Sequence, residues 1–236
     1  MDLDDLAREA EALGIESIEL LGEHEWDVVK RRGLTCAMAT GPCTIADGWN
    51  DPRNHDRLVM ETERLLPLIA AAGLPNMLVF SGSRRSQSDA DGLRHCAEGL
   101  GRILPLAEKL GVTVCMELLN SKIDHPDYQC DHTAWGVALC EAVASDRFKL
   151  LYDIYHMQIM EGDIIRTFTD NIRHIGHFHT GGVPGRNEID HTQELNYPRI
   201  CQAIVEAGYT GFMAQEFVPL RDPLTSLREA VRLCTV

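Results

Sequence analysis

The sequence predicts an α/β chain folded as a (β/α)8 barrel with its first strand missing. Three observations carry that prediction. Short apolar, β-branched segments alternate with longer helical patterns along the whole chain. Five helical patterns close on glycine immediately before a strand: ALG before IESIEL, RRG before LTCAMAT, AAG before LPNMLVF, KLG before VTVCMEL and EAG before YTGFMAQEF. Glycine just past a helix accepts the left-handed conformation that stops it, and repeated helix–glycine–strand junctions imply βα units and a parallel sheet. The length, 236 residues, suits one barrel, with no composition break to mark a second domain, so residues 1–236 read as a single domain.

Seven strands are predicted: 17–21, 34–40, 76–81, 112–119, 148–154, 174–180 and 211–218. Helices are predicted at 23–31, 55–72, 89–110, 134–144, 164–171 and 197–207. The chain opens on one more helix, 3–13, whose start is rich in aspartate (Asp2, Asp4, Asp5), as suits the positive end of a helix dipole. A closed barrel needs eight strands, and an opening helix with no strand before it leaves one unaccounted for. An open seam exposes unpaired backbone and apolar surface, which makes a homodimer or another cover an expectation. The rival, a doubly wound nucleotide-binding sheet, needs a glycine-rich phosphate turn, and neither G-x-G-x-x-G nor G-x-x-x-x-G-K-[ST] occurs.

The formal charge is −14, from 36 acidic and 22 basic side chains, which disfavours a nucleic-acid partner. Eight scattered cysteines with no C-x-x-C pair read as buried thiols in a reducing compartment. No apolar run approaches 18 residues and the N-terminus has no signal-peptide order, so no membrane partner and a cytoplasmic location are expected.

Four polar residues end four of the strands. Glu117 lies in VTVCMELLN, Asp153 in FKLLYDIYH, His179 in IGHFHT and Glu216 in FMAQEFV. Strand parity puts Val114, Met116 and Leu118 against the helices and Glu117 on the barrel axis; the same alternation turns Asp153, His179 and Glu216 inward. Taken singly, each has an ordinary account: Glu117 paired with Lys122, Asp153 capping a loop, Glu216 meeting an arginine, His179 as a core histidine. Together, three inward carboxylates at one height repel unless protonated or bridged by a cation. The spacings, 36, 26 and 37 residues, are about one βα unit each and match no compact zinc motif. An oxygen-rich set with one imidazole suits Mg²⁺ or Mn²⁺ better than Zn²⁺.

Around these, His156 sits three residues after Asp153, within reach of a substrate oxygen. Arg186, in the loop GGVPGRNE, is placed to grip a carboxylate or a hydroxyl oxygen, with a solvated loop charge as the alternative. Asn120 and Lys122 follow Glu117 and are within reach of the same pocket. His177 points inward one layer lower, in a supporting position. Asp131 or Thr133 is expected to cap the helix beginning near Ala134.

The strings MELLNSKIDHPDYQCDHTAWGV, FKLLYDIYHMQIMEGDIIRTFTDNIRHIGHFHTGGVPGRNEID, TQELNYPRI and AQEFVP resemble the hydroxypyruvate isomerase family, within the xylose-isomerase-like TIM-barrel group. The resemblance runs from Val112 to Pro219 almost without a gap. It implies one divalent metal among Glu117, Asp153, His179 and Glu216, proton exchange through Glu117 and Glu216, and substrate oxygens bound by His156 and Arg186. It implies a small anionic, carbohydrate-derived substrate and interconversion of hydroxypyruvate with tartronate semialdehyde. Relatives in this group begin with a strand that this chain lacks. A 3-epimerase of a free ketose, an endonuclease IV-like repair enzyme and an inactive truncated barrel are the alternatives.

Overall fold

A computed structural model describes residues 1–236. Six parallel strands lie side by side in chain order: β1 (Ala39–Thr40), β2 (Asn76–Val79), β3 (Thr113–Glu117), β4 (Phe148–Asp153), β5 (Ile175–Thr180) and β6 (Met213–Gln215). A seventh stave, the segment around Ser17 to Leu21, joins the β1 edge through two parallel bridges, Ser17 to Thr35 and Leu21 to Ala39, without becoming a regular strand. Of the predicted strand 34–40, only Ala39 and Thr40 enter the ladder, paired with Met77 and Leu78.

Helices connect the staves: α1 (Leu3–Ala12), α2 (Trp26–Lys30), α3 (His55–Ala72), α4 (Asp89–Gly101), α5 (Leu104–Leu110), α6 (Thr133–Val143), α7 (Ile154–Met160), α8 (Ile164–Asp170), α9 (Tyr197–Glu206) and α10 (Pro223–Cys234). All five junction glycines, Gly14, Gly33, Gly73, Gly111 and Gly208, adopt φ between 72° and 79°, the left-handed conformation expected of them. The predicted helix 89–110 is two helices. Pro105 cannot donate the hydrogen bond a continuous helix would need there, and it occupies the first turn of α5, where that donor is not required. The helix α10 was not expected from the sequence; Asp222 caps it by accepting a hydrogen bond from the Thr225 amide at 2.8 Å.

Strand parity sorts the core. Forty-nine buried residues, including Val114, Met116, Leu118, Tyr152 and Phe178, fill the layer between sheet and helices. The opposite face carries a small separate cluster, Met38, Leu78, Cys115 and Leu151, which plugs the barrel axis. Glu117 shares its parity with Cys115, and Asp153 with Leu151, so both carboxylates stand on the axial side directly above this plug.

The sheet is not closed. β6 pairs only with β5, and between β6 and the Ser17–Leu21 stave lies a cavity of about 480 Å³ lined by Leu6, Ile18, Met213, Leu227 and Val231 among others. Seven of the eight cysteines are buried and all are free thiols. No helix is long and apolar enough to cross a membrane.

Candidate metal centre

Glu117 is the last residue of β3, Asp153 the last of β4, His179 the next-to-last of β5, and Glu216 follows β6. Register brings them level: Glu117 is opposite Leu151, Asp153 opposite His179, and His179 opposite Ala214. Each contributes one ligand atom to a group whose members all lie within 4.8 Å of one another. Direct oxygen ligands of a hard cation stand about 2.0–2.6 Å from it, so donors this close can share one ion.

Asp153 divides its two oxygens. One accepts the His156 amide at 3.1 Å and thereby caps α7; the other is buried with no hydrogen-bond partner. Glu117 also has a buried oxygen without a partner, its nearest donor being His179 Nδ1 at 3.5 Å. An isolated buried carboxylate oxygen is costly, and two facing one another more so. Burial, reinforced by the neighbouring Glu216 and Glu117 charges, pushes the Asp153 carboxyl well above its ordinary range; Glu117 is also raised by burial, against the pull of His179. Burial would raise Glu216 too, but His179 Nδ1 at 2.9 Å and the Arg186 guanidinium at 2.5 Å hold it ionised. These orphaned oxygens, with one imidazole beside them, fit a divalent cation.

Arg186 reaches the cluster from a loop where its own φ is 59°. Its guanidinium lies 3.6 Å from Asp153 and 5.5 Å from the centre of the Tyr155 ring. It is the one guanidinium or ammonium that meets these acids, and it remains about a quarter exposed.

His156 is fully buried, and burial together with the Arg186 charge lowers its pKa to about 3, so the ring is neutral. Its tautomer follows from Asn120. The Asn120 oxygen accepts the amides of Ile123 and Asp124, so its NH2 group is turned to donate to His156 Nδ1 at 2.7 Å. The proton is therefore on Nε2, which has no partner and lies 3.6 Å from Asp153.

Two expectations change. Lys122 does not point into the pocket as a free cation: its ammonium donates to the carbonyls of Ile159 and Met160, both at 2.9 Å, at the C-terminal end of α7. Asn120 is fully buried and its amide is consumed by Asp124, Ile123 and His156, so it sets the loop and the His156 tautomer rather than meeting a ligand. The cap of α6 also differs. Glu161 accepts from both the amide and the hydroxyl of Thr133, while Asp131 pairs with Arg84.

Sequence reasoning passed over Glu19, Asp124, His125 and Tyr155. The Tyr155 hydroxyl donates to Asp124 at 2.8 Å, and the His125 ring stands 5.3 Å from that of His156. Glu19 had the same signal as the others, an acid inside a short apolar run. Its carboxylate accepts from His177 Nε2 at 2.9 Å and His179 Nε2 at 3.2 Å.

Fold and site define a (β/α) barrel with an acid–imidazole cluster at the C-terminal ends of its strands. A family model described as the xylose isomerase-like TIM barrel matches residues 5–234, and the chain belongs to that family. It is 37% identical over 135 residues to a 2-oxo-tetronate isomerase of Cupriavidus necator, covering 56% of this chain and 51% of that protein. It is 31% identical over 137 residues to a putative hydroxypyruvate isomerase of Homo sapiens, covering 58% and 47%. The chain spans about half the length of these two relatives. A 2-oxo-tetronate isomerase of Pectobacterium atrosepticum aligns over 225 residues, 87% of this chain and 82% of that one, at 26% identity. Among solved structures, a family 2 AP endonuclease of Brucella melitensis superposes with a TM-score of 0.88 at 22% identity, covering 96% of this chain and 92% of its own, a likeness of fold.

Proposed function

We propose that the chain is a metal-dependent isomerase of the aldose–ketose type acting on a small 2-oxo or hydroxy acid, with hydroxypyruvate and tartronate semialdehyde as the pair interconverted. The observation that carries this reading is the pair of orphaned carboxylate oxygens, on Glu117 and Asp153, converging with His179 and Glu216 at the mouth of the strands. Relatives described as isomerases of hydroxypyruvate and 2-oxo-tetronate support the substrate class.

The reaction moves a proton between adjacent carbons and requires no co-substrate. Mg²⁺ or Mn²⁺ held by Glu117, Asp153, His179 and Glu216 would supply positive charge to the two substrate oxygens that become negative when the proton leaves. Glu117 and Glu216 are the proton carriers: one takes the proton from C3 of hydroxypyruvate and the other returns one to C2. The Arg186 guanidinium binds the substrate carboxylate, a clamp that a chain of net charge −14 needs for an anionic ligand. His156, with its Nε2 proton unspent, donates to a substrate oxygen. The acidic surface charge argues against a nucleic-acid substrate.

The test is proton exchange in heavy water with Mn²⁺ or Mg²⁺ supplied, comparing hydroxypyruvate with D-fructose and D-tagatose. Deuterium should enter hydroxypyruvate at the carbon beside its carbonyl, well above the protein-free rate, and Glu216→Gln should lose about 10³-fold or more in turnover while keeping its circular dichroism. Exchange into the free ketoses alone would replace this reading with an epimerase. No exchange into any of them by metal-loaded protein would remove catalysis from the reading.

A further inference from the structure

We propose that Glu19 is the positioning residue for His179: its carboxylate holds the proton on Nε2 and so presents Nδ1 to Glu117, Asp153 and Glu216. The inference rests on the metal-centre reading above and adds a residue from outside the cluster to it.

Glu19 sits on the irregular Ser17–Leu21 stave, far from the other members in sequence, with a side chain only 8% exposed. Its ion-pair partners are two imidazoles; no arginine or lysine reaches it. The His177 and His179 rings stand nearly perpendicular, at 85° with centroids 5.2 Å apart, and both point Nε2 at the same Glu19 oxygen. The bond from His177 alone would give that oxygen a donor. The second reaches past it to the far side of the ring whose other nitrogen faces the cluster, 2.9 Å from Glu216.

That second bond has a chemical consequence. A neutral imidazole has one N–H, and a nitrogen that carries it cannot ligate. Glu216 competes for the His179 proton on the Nδ1 side. If Glu19 were absent, the neutral ring would keep its one remaining proton on Nδ1, facing Glu216 at 2.9 Å, and one of the four metal donors would be lost. In the metal-free protein both ring nitrogens face carboxylates, Nδ1 at Glu216 and Nε2 at Glu19. With Glu19 holding the Nε2 proton, the proton a cation displaces is the one on Nδ1, and the neighbouring negative charge makes the lone pair so exposed more basic. Outer carboxylates of this kind are typically worth about 10–100-fold in metal affinity.

Two measurements on the full chain test this. In the metal-free protein labelled with ¹⁵N-histidine, the His179 Nε2 proton should resonate downfield and exchange slowly, and Glu19→Ala should abolish the signal. In Mn²⁺ titrations read by electron paramagnetic resonance of the free ion, Glu19→Ala should bind about 10–100-fold more weakly than wild type. Glu19→Gln, which keeps shape and one acceptor oxygen, should fall between them and serves if the alanine variant does not fold. Wild-type affinity in a folded Glu19 variant, or a wild-type His179 protonated only on Nδ1, would overturn the proposal. Failure of the wild type itself to bind Mn²⁺ would instead count against the metal centre, while the proton resonance still reads the Glu19 bond on its own.

Discussion

Asp131, between β3 and α6, and Asp153, the last residue of β4, are both buried aspartates, and the protein treats them in opposite ways. Each oxygen of Asp131 accepts two hydrogen bonds: Arg84 and His132 at 3.0 and 2.8 Å on one, Arg84 and Ser121 at 3.1 and 2.6 Å on the other. Burial alone would raise its pKa, but Arg84, Ser121 and His132 outweigh it and hold the carboxyl below its ordinary range. Asp153 has one backbone amide on one oxygen and nothing on the other, and its carboxyl is pushed well up. A fold that pairs Asp131 so completely has the means to satisfy a buried acid. Leaving Asp153 and Glu117 short of partners, one strand register apart, marks that place as built for a charge supplied from outside.

The contrast breaks most visibly at the cluster itself. Asp153→Asn should lower Mn²⁺ affinity by about 100-fold or more, since it removes a donor rather than an outer support. The same substitution should leave the metal-free protein at least as stable as wild type, because it relieves a buried, unpaired acid. Metal titration and thermal unfolding of one sample read both; undiminished affinity would sink the assignment.

The mirror-image change has the opposite sign. Asp131→Asn strands Arg84 among acceptors arranged for a carboxylate and should destabilise the protein by about 1–3 kcal/mol in urea unfolding at neutral pH, discounted because Arg84 remains about a quarter exposed. An unchanged midpoint would show that the network is decoration.

The smallest effect is on pH dependence, and here the two regions should separate by slope. Glu117 and Asp153 have folded pKa values raised above their ordinary 4.5 and 3.8, so the metal-free native state binds more protons than the unfolded chain and gains stability as pH falls from neutrality toward that range. His179, raised well above 6.5, adds with the same sign. Asp131, lowered below 3.8, contributes stability that is present above that value and lost as pH falls beneath it. Asp153→Asn should therefore flatten the upper part of the metal-free stability profile, and Asp131→Asn the part below about pH 4. Saturating Mg²⁺ should reverse the upper slope, because ligation favours the ionised acids.

Much of the fold and of the cluster's placement was legible in the sequence. The helix–glycine–strand junctions set the βα alternation, and all five glycines take the conformation that stops a helix. Period-two alternation was enough to turn Glu117 and Asp153 toward the axis, because a side chain's face along a strand depends only on its parity. Loop residues were less legible. Lys122 was expected in the pocket by its nearness to Glu117 in sequence, yet the carbonyl end of α7, nearly forty residues away, captures its ammonium. Asn120 was expected to touch a ligand for the same reason, and three neighbours use up its amide instead.

What the amino-acid order determined on its own is local and periodic: where helices stop, which strand residues face inward, and that three acids and an imidazole share one height. What only the tertiary structure decided is which nitrogen and which oxygen are already spoken for. Glu19 meets His177 and His179 across 158 and 160 residues, and Arg84 meets Asp131 across 47. The energy of a buried charge depends on every group within a few ångströms, whatever its place in the chain, so no local pattern carries that information.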